Sequence, residues 1–304
     1  MERLVTHEAT ERACCSCNRG EYVNEKIIEN DNDGNYIEIL IDHTNERLKV
    51  LDYTVHDWKK VLCYLEEAAS MNRSGKIIFY VRGTEDIALN NHGYVLEGVI
   101  PAFFQGEDAL CYSRFANPER SYSLNCEQEE ELLKKIQKEK NPESINELPE
   151  GYTARKICNE HVNELVELYR NTFSSYPSPL LDIEYVHNVM QTHVTFYGVF
   201  VGDILVSAAS AEVDHRNRNS EITDCATLPE HRGKGLLSNL IMLLEKEMWV
   251  QKIAALYSLA RAGSYGMNAA LCRLGYEYKG RFINNCHIGG RYEDMNLWVK
   301  NIKI

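Results

Sequence analysis

Membrane and export segments are absent from this sequence of 304 residues. No apolar run approaches the roughly 20 residues that a helix needs to cross a bilayer, and the first residues lack the hydrophobic core of a secretory signal. We therefore expect a cytoplasmic protein with no membrane partner. The patterns G-x-x-x-x-G-K-[ST] and G-x-G-x-x-G are missing as well, which excludes a P-loop and a dinucleotide fingerprint.

Basic residues are too few for a protein that binds nucleic acid. The chain has 33 Lys and Arg against 45 Asp and Glu, so its formal net charge is −12. Phosphate backbones are bound by clustered Lys and Arg, and such an acidic chain would repel them. The balance predicts no nucleic-acid partner and suits a small cationic substrate.

Metal-ligand spacing is also absent. Ten cysteines are scattered along the chain, and the one cluster, Cys14, Cys15 and Cys17, has no further Cys or His at zinc-finger spacing. Without an export signal, free thiols are expected in place of a disulfide framework. The sequence therefore predicts no metal site.

The length and the 44% hydrophobic content allow two globular domains. In the first half, β-branched runs predict strands at 36–41 and 76–81, and apolar residues at helical spacing predict a helix at 56–69. Two strand-like runs follow within 91–114. Residues 1–34 are polar and end in the turn-forming Asp31-Asn-Asp-Gly34, so they are expected to form a tail with at most one strand.

A charged stretch flanked by prolines divides the chain. Residues 127–140 are mostly Glu and Lys, and they predict a solvated linker helix. From residue 152 the patterns follow the order β-α-α-β-β-β-α-β-α-β-β. The predicted organisation is a tail (1–34), a first α/β domain (35–120), a linker (121–150) and a second domain (151–304).

The two halves share a short similar segment. Leu274-Gly-Tyr-Glu-Tyr-Lys-Gly280 is similar to His92-Gly-Tyr-Val-Leu-Glu-Gly98, and each is followed by a turn glycine and an acidic pair. An internal repeat would explain the similarity, and coincidence is the alternative.

The stretch 221–245 changes from strand to helix periodicity across Arg232-Gly-Lys-Gly235. Two glycines at a helix start would leave backbone N–H groups without partners and direct them, with the positive end of the helix dipole, at one point. A phosphate would fit there, although an ordinary tight turn is the alternative.

This loop resembles the acetyl-CoA loop of the GNAT acetyltransferase superfamily, [QR]-x-x-G-x-[GA], and stands here as Glu230-His-Arg-Gly-Lys-Gly235. Glu230 departs from the pattern. The resemblance implies a GNAT fold of α/β (α+β) class, with a mixed central sheet flanked by helices, preceded here by a smaller, degenerate GNAT-like domain. It also implies acetyl-CoA as cosubstrate, bound by the loop and by the main chain of the preceding strand. These residues are Ala226, Leu228, Arg232, Gly233, Lys234 and Gly235.

Three longer segments, 93–109, 264–268 and 284–298, resemble the β-lysine N-acetyltransferase family over nearly the whole chain. The resemblance implies acetylation of the ε-amine of β-lysine to give an osmolyte, downstream of lysine 2,3-aminomutase. Two alternatives stay open. The protein acetylates another small amine, such as a polyamine or lysine, or it is a catalytically silent acyl-CoA-binding module. The oligomeric state is also open, with a homodimer as one option.

Acyl transfer to an amine needs a proton acceptor and a proton donor. Glu221 opens the strand before the loop and is the first candidate for the base, with Asp224 second; a solvated strand end is the alternative. The usual GNAT tyrosine position is Leu271 here, so Tyr265 is the substitute candidate for the acid. The alternative for Tyr265 is a packed aromatic.

A substrate with two ammonium groups and one carboxylate should meet carboxylates and a cation. The last two strands carry suitable polar side chains, which could equally form an ordinary polar hairpin, and Arg261 and Arg281 are candidates for the carboxylate partner. The predicted substrate-binding residues are Asn284, Asn285, Glu293, Asp294 and Asn296.

Overall fold

A computed structural model describes residues 2–4, 24–139 and 147–302. The cysteine cluster at 14, 15 and 17 lies outside these residues. In the described ranges no helix is long and apolar enough to cross a membrane. They also contain no group of three or more His, Cys, Asp or Glu that could hold a metal ion.

One mixed sheet of 14 strands runs through the whole molecule in the order β1-β2-β3-β4-β5-β7-β6-β13-β14-β12-β11-β10-β9-β8. The strands are β1 (Glu2–Leu4), β2 (Glu25–Asn30), β3 (Tyr36–Asp42), β4 (Arg47–Thr54), β5 (Lys76–Arg82), β6 (Val95–Phe104), β7 (Glu107–Phe115), β8 (Tyr152–Lys156), β9 (Val194–Val201), β10 (Ile204–Asp214), β11 (Asn219–Thr227), β12 (Ala255–Arg261), β13 (Glu277–Ile288) and β14 (Arg291–Asn301).

The helices cover both faces of this sheet. They are α1 (Trp58–Met71), α2 (Asp86–Asn90), α3 (Cys126–Lys138), α4 (Val162–Thr172), α5 (Ile183–Thr192), α6 (Leu236–Val250) and α7 (Tyr265–Arg273). In the C-terminal half, α3, α6 and α7 share one apolar core on one face, and α4 and α5 form another core on the opposite face. In the N-terminal half, α1 packs on β3, β4 and β5.

The two halves have mirrored strand orders. Each half contains one parallel pair, which is β4 with β5 in the first half and β11 with β12 in the second. An antiparallel hairpin, β6 with β7 or β13 with β14, lies between this pair and the centre of the sheet. They meet where β6 pairs with β13 at Gly98 and Gly280. A Cβ on Gly280 would lie 2.1 Å from the Glu97 carbonyl oxygen, so only glycine fits this junction. The degenerate GNAT-like first domain stays a prediction, with which this order agrees.

Two segments differ from the sequence-based expectation. The predicted tail, for which one strand was allowed, contains two: β1 pairs with β2, and β2 pairs with β3. The expected solvated linker helix is α3, and it is docked: Leu133 and Ile136 are buried in the core that α3 shares with α6 and α7. The charged residues of α3 predict exposure for most of its positions. Leu133 and Ile136 are three residues apart, so they lie on the same side of the helix and form the apolar surface that packs on the core.

Candidate active site

A gap opens between β11 and β12. Their parallel pairing covers three residue pairs and ends at Glu221 with Tyr257. Beyond it, β11 bulges at Asp224, which has φ 50°, and the register with β10 shifts between Ala208 and Ser210. A bulge bends its strand and increases the local twist. The two strands therefore diverge, and the gap between them can admit an extended ligand.

The loop before α6 adopts the geometry of an anion site. Gly233 and Gly235 both have φ 75°, and a Cβ on either would meet nothing within 4 Å. Within the part of the chain that the structure describes, the N–H groups of residues 233–236 donate to no backbone carbonyl. Left-handed glycines and free amides at the start of a 15-residue helix favour phosphate binding.

Side chains fix this loop from both sides. Arg232 Nε donates to the Thr227 carbonyl at 3.1 Å. Lys234 Nζ donates to the Tyr152 hydroxyl at 2.7 Å, and the same hydroxyl lies 2.8 Å from Nδ1 of His231. The first strand of the second half thus holds the loop in place, and two predicted cofactor-binding cations are tied to protein oxygens in this structure.

The main-chain amides of Ala226, in β11, and of Leu228, just after it, need a correction. The family resemblance assigned both to the binding of acetyl-CoA, but the Leu228 N–H donates to the Val206 carbonyl at 3.0 Å. Adjacent residues of a strand direct their N–H groups to opposite sides, so Ala226 shares the direction of Leu228. The Thr227 N–H lies between them and points to the gap.

A cluster of carboxylates lines the sheet face beside the gap. Glu221 is half-buried, and its direct cross-strand partner in β10 is Glu212. Burial, with a contribution from Glu212, raises the pKa of Glu221 to about 7, while the charge of Lys49 acts to lower it. A carboxyl group with this pKa is suited to accept a proton near neutral pH.

Asp224 lies deeper in the same face. Burial raises its pKa to about 6, although its hydrogen bonds oppose the shift. The Ser210 hydroxyl donates to Asp224 Oδ2 at 2.7 Å, and the Tyr169 hydroxyl donates to the Asp224 carbonyl oxygen at 3.1 Å. These bonds fix the side chain at the bulge. Asp224 therefore fits a structural and electrostatic role beside Glu221 better than that of a mobile base.

Tyrosines surround the carboxylates. Tyr257 is half-buried opposite Glu221, and burial together with the Glu221 charge raises its pKa well above the usual value. Tyr176, Tyr185 and Tyr80 are also half-buried, and the pKa of each is raised, first by burial and then by Asp224, Glu212 or other nearby charges. Their hydroxyls stay protonated at neutral pH and can donate hydrogen bonds.

Tyr265, the sequence-based candidate for the acid, has other contacts. Its side chain is exposed, and its hydroxyl donates to Oε2 of Glu139 at 2.8 Å. It begins α7, whose buried residues pack in the core on the α6 side of the sheet, opposite the carboxylate face. The structure thus does not bring Tyr265 together with Glu221.

The polar residues of the last hairpin are mostly engaged with each other. Asp294 and Asn296 alternate with Met295 and Leu297, which belong to the core between the two halves, so they face the α6 side. Asn296 Oδ1 accepts from Arg281 Nε at 2.9 Å, and Asp294 accepts from the Asn284 N–H at 2.7 Å.

The other predicted residues of this hairpin are placed similarly. The Asn284 side chain donates to the carbonyls of Arg120 and Tyr122, each at 2.9 Å. Glu293 accepts from Arg291 Nε at 2.8 Å, and Asn285 is buried. These residues form a buried polar junction, and the structure does not bring Asp294 or Asn296 to the carboxylate face.

Known proteins resemble this chain over most of its length. A model of the acetyltransferase (GNAT) family matches residues 162–276. The β-lysine N(6)-acetyltransferase of Methanosarcina mazei is 36% identical, over 78% of this chain and 94% of its own length. The N-acetyltransferase YodP of Bacillus subtilis is 36% identical, over 86% of this chain and 96% of its own length. This chain belongs to the GNAT acetyltransferase family. A second β-lysine N(6)-acetyltransferase, from Methanococcus maripaludis, is 31% identical over 91% of this chain and 98% of its own length.

GNAT acetyltransferases use acetyl-CoA, and the residues of this GNAT site fit it. The free amides of 233–236 and the left-handed glycines suit its diphosphate, and the gap between β11 and β12 suits its extended arm. When bound, acetyl-CoA supplies an activated acetyl thioester. Gly233 and Gly235 fit the cofactor role that the sequence predicts for them.

Three residues that lie near Glu221 or act on it were not predicted from the sequence. Glu212 alternates with buried Ala211 and Val213, so its exposure is predictable, but its position opposite Glu221 depends on the register of the β10–β11 hairpin. Tyr257 could have been found only if β12 were known to pair with β11 in this register. Lys49 lies on β4, in the other half of the sheet, and no local pattern connects it with Glu221.

Proposed function

We propose that this protein transfers the acetyl group of acetyl-CoA to the ε-amine of β-lysine, giving Nε-acetyl-β-lysine and CoA. The observation that carries the proposal is the 36% identity, over most of both chains, to a protein named β-lysine N(6)-acetyltransferase. The carboxylate cluster beside the gap supports it, because Glu221 and Glu212 can pair with the ammonium groups of a diamino acid.

Glu221 is proposed as the base. The ε-ammonium has an unperturbed pKa near 10.4, so it must lose a proton before its nitrogen can attack. Glu221, with a pKa of about 7, can accept this proton directly or through a water molecule. The nitrogen then forms the amide bond as the C–S bond of the thioester breaks.

Tyr257 is proposed as the proton donor in place of Tyr265. It lies opposite Glu221 at the mouth of the gap, and its raised pKa keeps the hydroxyl protonated. Its proton would pass to the departing thiolate sulfur. The Thr227 N–H is proposed to polarise the thioester carbonyl, because it points into the same gap.

The proposed reaction belongs to osmolyte synthesis. Its substrate would come from a lysine 2,3-aminomutase, and acetylation of the ε-amine would leave a product with one ammonium and one carboxylate, hence no net charge. Such a zwitterion suits a compatible solute. No nucleic acid or membrane takes part in this proposal, and acetyl-CoA and the amine are the partners that it requires.

Thiol release by the purified protein tests the proposal. Acetyl-CoA is supplied with β-lysine, α-lysine or spermidine, and mass spectrometry with NMR identifies the acetylated nitrogen. We expect kcat/KM to be at least about tenfold higher for β-lysine, since one lost charged contact costs about that factor or more. Faster reaction with spermidine would favour the polyamine hypothesis. CoA binding without turnover of any of these amines would favour the silent module.

A further inference from the structure

Strand β4 of the N-terminal half presents charged side chains to the face that carries Glu221. Leu48 is buried in the core around α1, so Arg47 and Lys49 lie on the other face of β4. A shift of register between Val50 and Asp52 returns Asp52 to that same face. The result is a row of two cations and one anion along a single strand.

Both ends of this row are tied to the C-terminal half. Arg47 Nη1 donates to the Asn285 carbonyl oxygen at 2.9 Å. Asp52, at the other end, forms an ion pair with Arg216 in the turn between β10 and β11. Lys49 lies between these two anchors on the same strand face. Its side chain is therefore directed across to the C-terminal half.

Aromatic contacts connect the surroundings of Lys49 with the gap. Lys49 pairs with Ile78 in β5, two residues before Tyr80. The Tyr80 ring lies 5.6 Å from the ring of Phe103, and the Phe103 ring lies 5.8 Å from that of Tyr257. These rings form one wall that runs from Lys49 to the mouth of the gap.

Lys49 differs from its neighbouring cations in having no fixed counter-ion. Arg47 is paired with Asp42 at 2.8 Å, and the fully buried Lys76 is paired with Glu97 at 2.7 Å. In the ranges that the structure describes, the half-buried Lys49 has no partner within ion-pair or hydrogen-bond distance. Its charge nevertheless acts on Glu221, where it lowers the pKa. An ammonium held near a carboxylate cluster without being neutralised is available to a ligand.

We infer that the Lys49 ammonium binds the carboxylate of an amino-acid substrate, while the amines of that substrate lie against Glu221 and Glu212. The N-terminal half thereby completes the substrate site. This inference rests on the proposed function. It replaces the two sequence-based candidates for this contact, Arg261 and Arg281. The Arg281 guanidinium lies beside Glu129 and donates to Asn296.

A pair of substrates that differ only in the carboxylate tests the inference. β-Lysine is compared with its decarboxylated analogue, pentane-1,4-diamine, at about pH 9, where Glu221 is ionised with or without Lys49. In the wild type we expect kcat/KM to be about 10- to 100-fold higher for β-lysine, the effect of one charge-assisted hydrogen bond. Lys49→Met should abolish this preference by raising KM for β-lysine, and leave kcat/KM for the diamine within about twofold.

Matched variants and direct binding complete the experiment. Lys49→Arg keeps a cation and should retain part of the preference, and Lys59→Met, an exposed lysine on α1, should retain all of it. Calorimetry should give a Kd for β-lysine that rises with Lys49→Met alone, at unchanged CoA affinity and melting temperature. If Lys49→Met keeps the wild-type preference, the inference is overturned while the proposed function stands. If the wild type acetylates neither amine, the proposed function is overturned, and the inference that rests on it falls with it.

Discussion

The two parallel strand pairs of the sheet have the same extent but end in opposite charges. The pairing of β4 with β5 covers three residue pairs and ends at Lys49, and that of β11 with β12 also covers three and ends at Glu221. The equivalent strand position thus carries a cation in one half and an acid in the other. The inferred substrate site uses both charges: the cation of one half for the carboxylate of an amino acid, and the acid of the other half for its amines.

The helices that connect the two strands of each pair, α1 and α6, differ in how their first N–H groups are used. In α1 the Asp57 carboxylate accepts the Lys60 N–H at 3.1 Å, so the protein's own anion occupies the helix start. In α6 the equivalent place is Gly235, which has no side chain and leaves the amides open. A second anion is disfavoured beside Asp57 and favoured beside Gly235. The comparison explains why only the C-terminal half should bind a diphosphate.

Gly233→Asp breaks this difference by placing an anion at the start of α6. We expect the affinity for CoA, measured by calorimetry, to fall more than about 100-fold, because a carboxylate repels the diphosphate and a side chain at φ 75° strains the loop. Asp57→Asn, which keeps a good cap on α1, should leave CoA affinity unchanged. Equal affinities of the two variants would contradict the assignment of the diphosphate to α6.

Glu221→Gln removes the carboxylate at the end of the β11–β12 pair, which is the proposed base. We expect kcat to fall about 100-fold or more, because the amine loses its proton acceptor. In the wild type, kcat/KM should rise with pH through about 7 as Glu221 loses its proton. An unchanged pH profile in the Gln variant would reject Glu221 as the base.

The pH at which kcat/KM rises, called here the pH limb, sharpens the comparison of the two halves. Lys49 lowers the pKa of Glu221 and Glu212 raises it. Lys49→Met should therefore move the limb to higher pH, and Glu212→Gln should move it to lower pH. Shifts in the same direction for both variants would contradict the opposite effects of Lys49 and Glu212 on Glu221.

Tyr257→Phe and Tyr265→Phe compare the structure-based and sequence-based candidates for the acid. If Tyr257 is the proton donor, its loss should lower kcat about 10-fold or more, with a smaller effect on KM. The variant with the larger loss of kcat, measured by thiol release at saturating amine, identifies the donor. A larger loss for Tyr265→Phe would restore the sequence-based assignment.

Gly280→Ala tests the junction at which the two halves meet, with the smallest expected effect on catalysis. The added Cβ would clash with the Glu97 carbonyl oxygen, so we expect the free energy of unfolding in urea to fall by about 1–3 kcal/mol. Gly266→Ala in α7, where a Cβ meets nothing within 4 Å, should be neutral or slightly stabilising. Equal stability of the two variants would mean that the junction tolerates a side chain.

Local features of the site were predictable from the sequence. The loop at 232–235, the helix after it and the order of strands follow from glycine placement and from residue periodicity, and the structure has them close to the expected bounds. Glu221 could be proposed from the sequence because it lies near the loop in the chain, and its role as the base stays a prediction. The predicted acid Tyr265 and the predicted hairpin residues Asp294 and Asn296 lie on the other side of the sheet, because strand alternation and helix docking decide which face a side chain takes.

The sequence by itself determined that a glycine-rich helix start with free amides would follow a strand near residue 227, because free amides, a helix dipole and glycine conformations depend on contiguous residues. Only the tertiary structure decided that Glu212 and Tyr257 flank Glu221, and that the charge of Lys49, from the other half, acts on Glu221. Those positions depend on strand register and on how the sheet brings its two halves together, and both are set by packing between residues far apart in the chain.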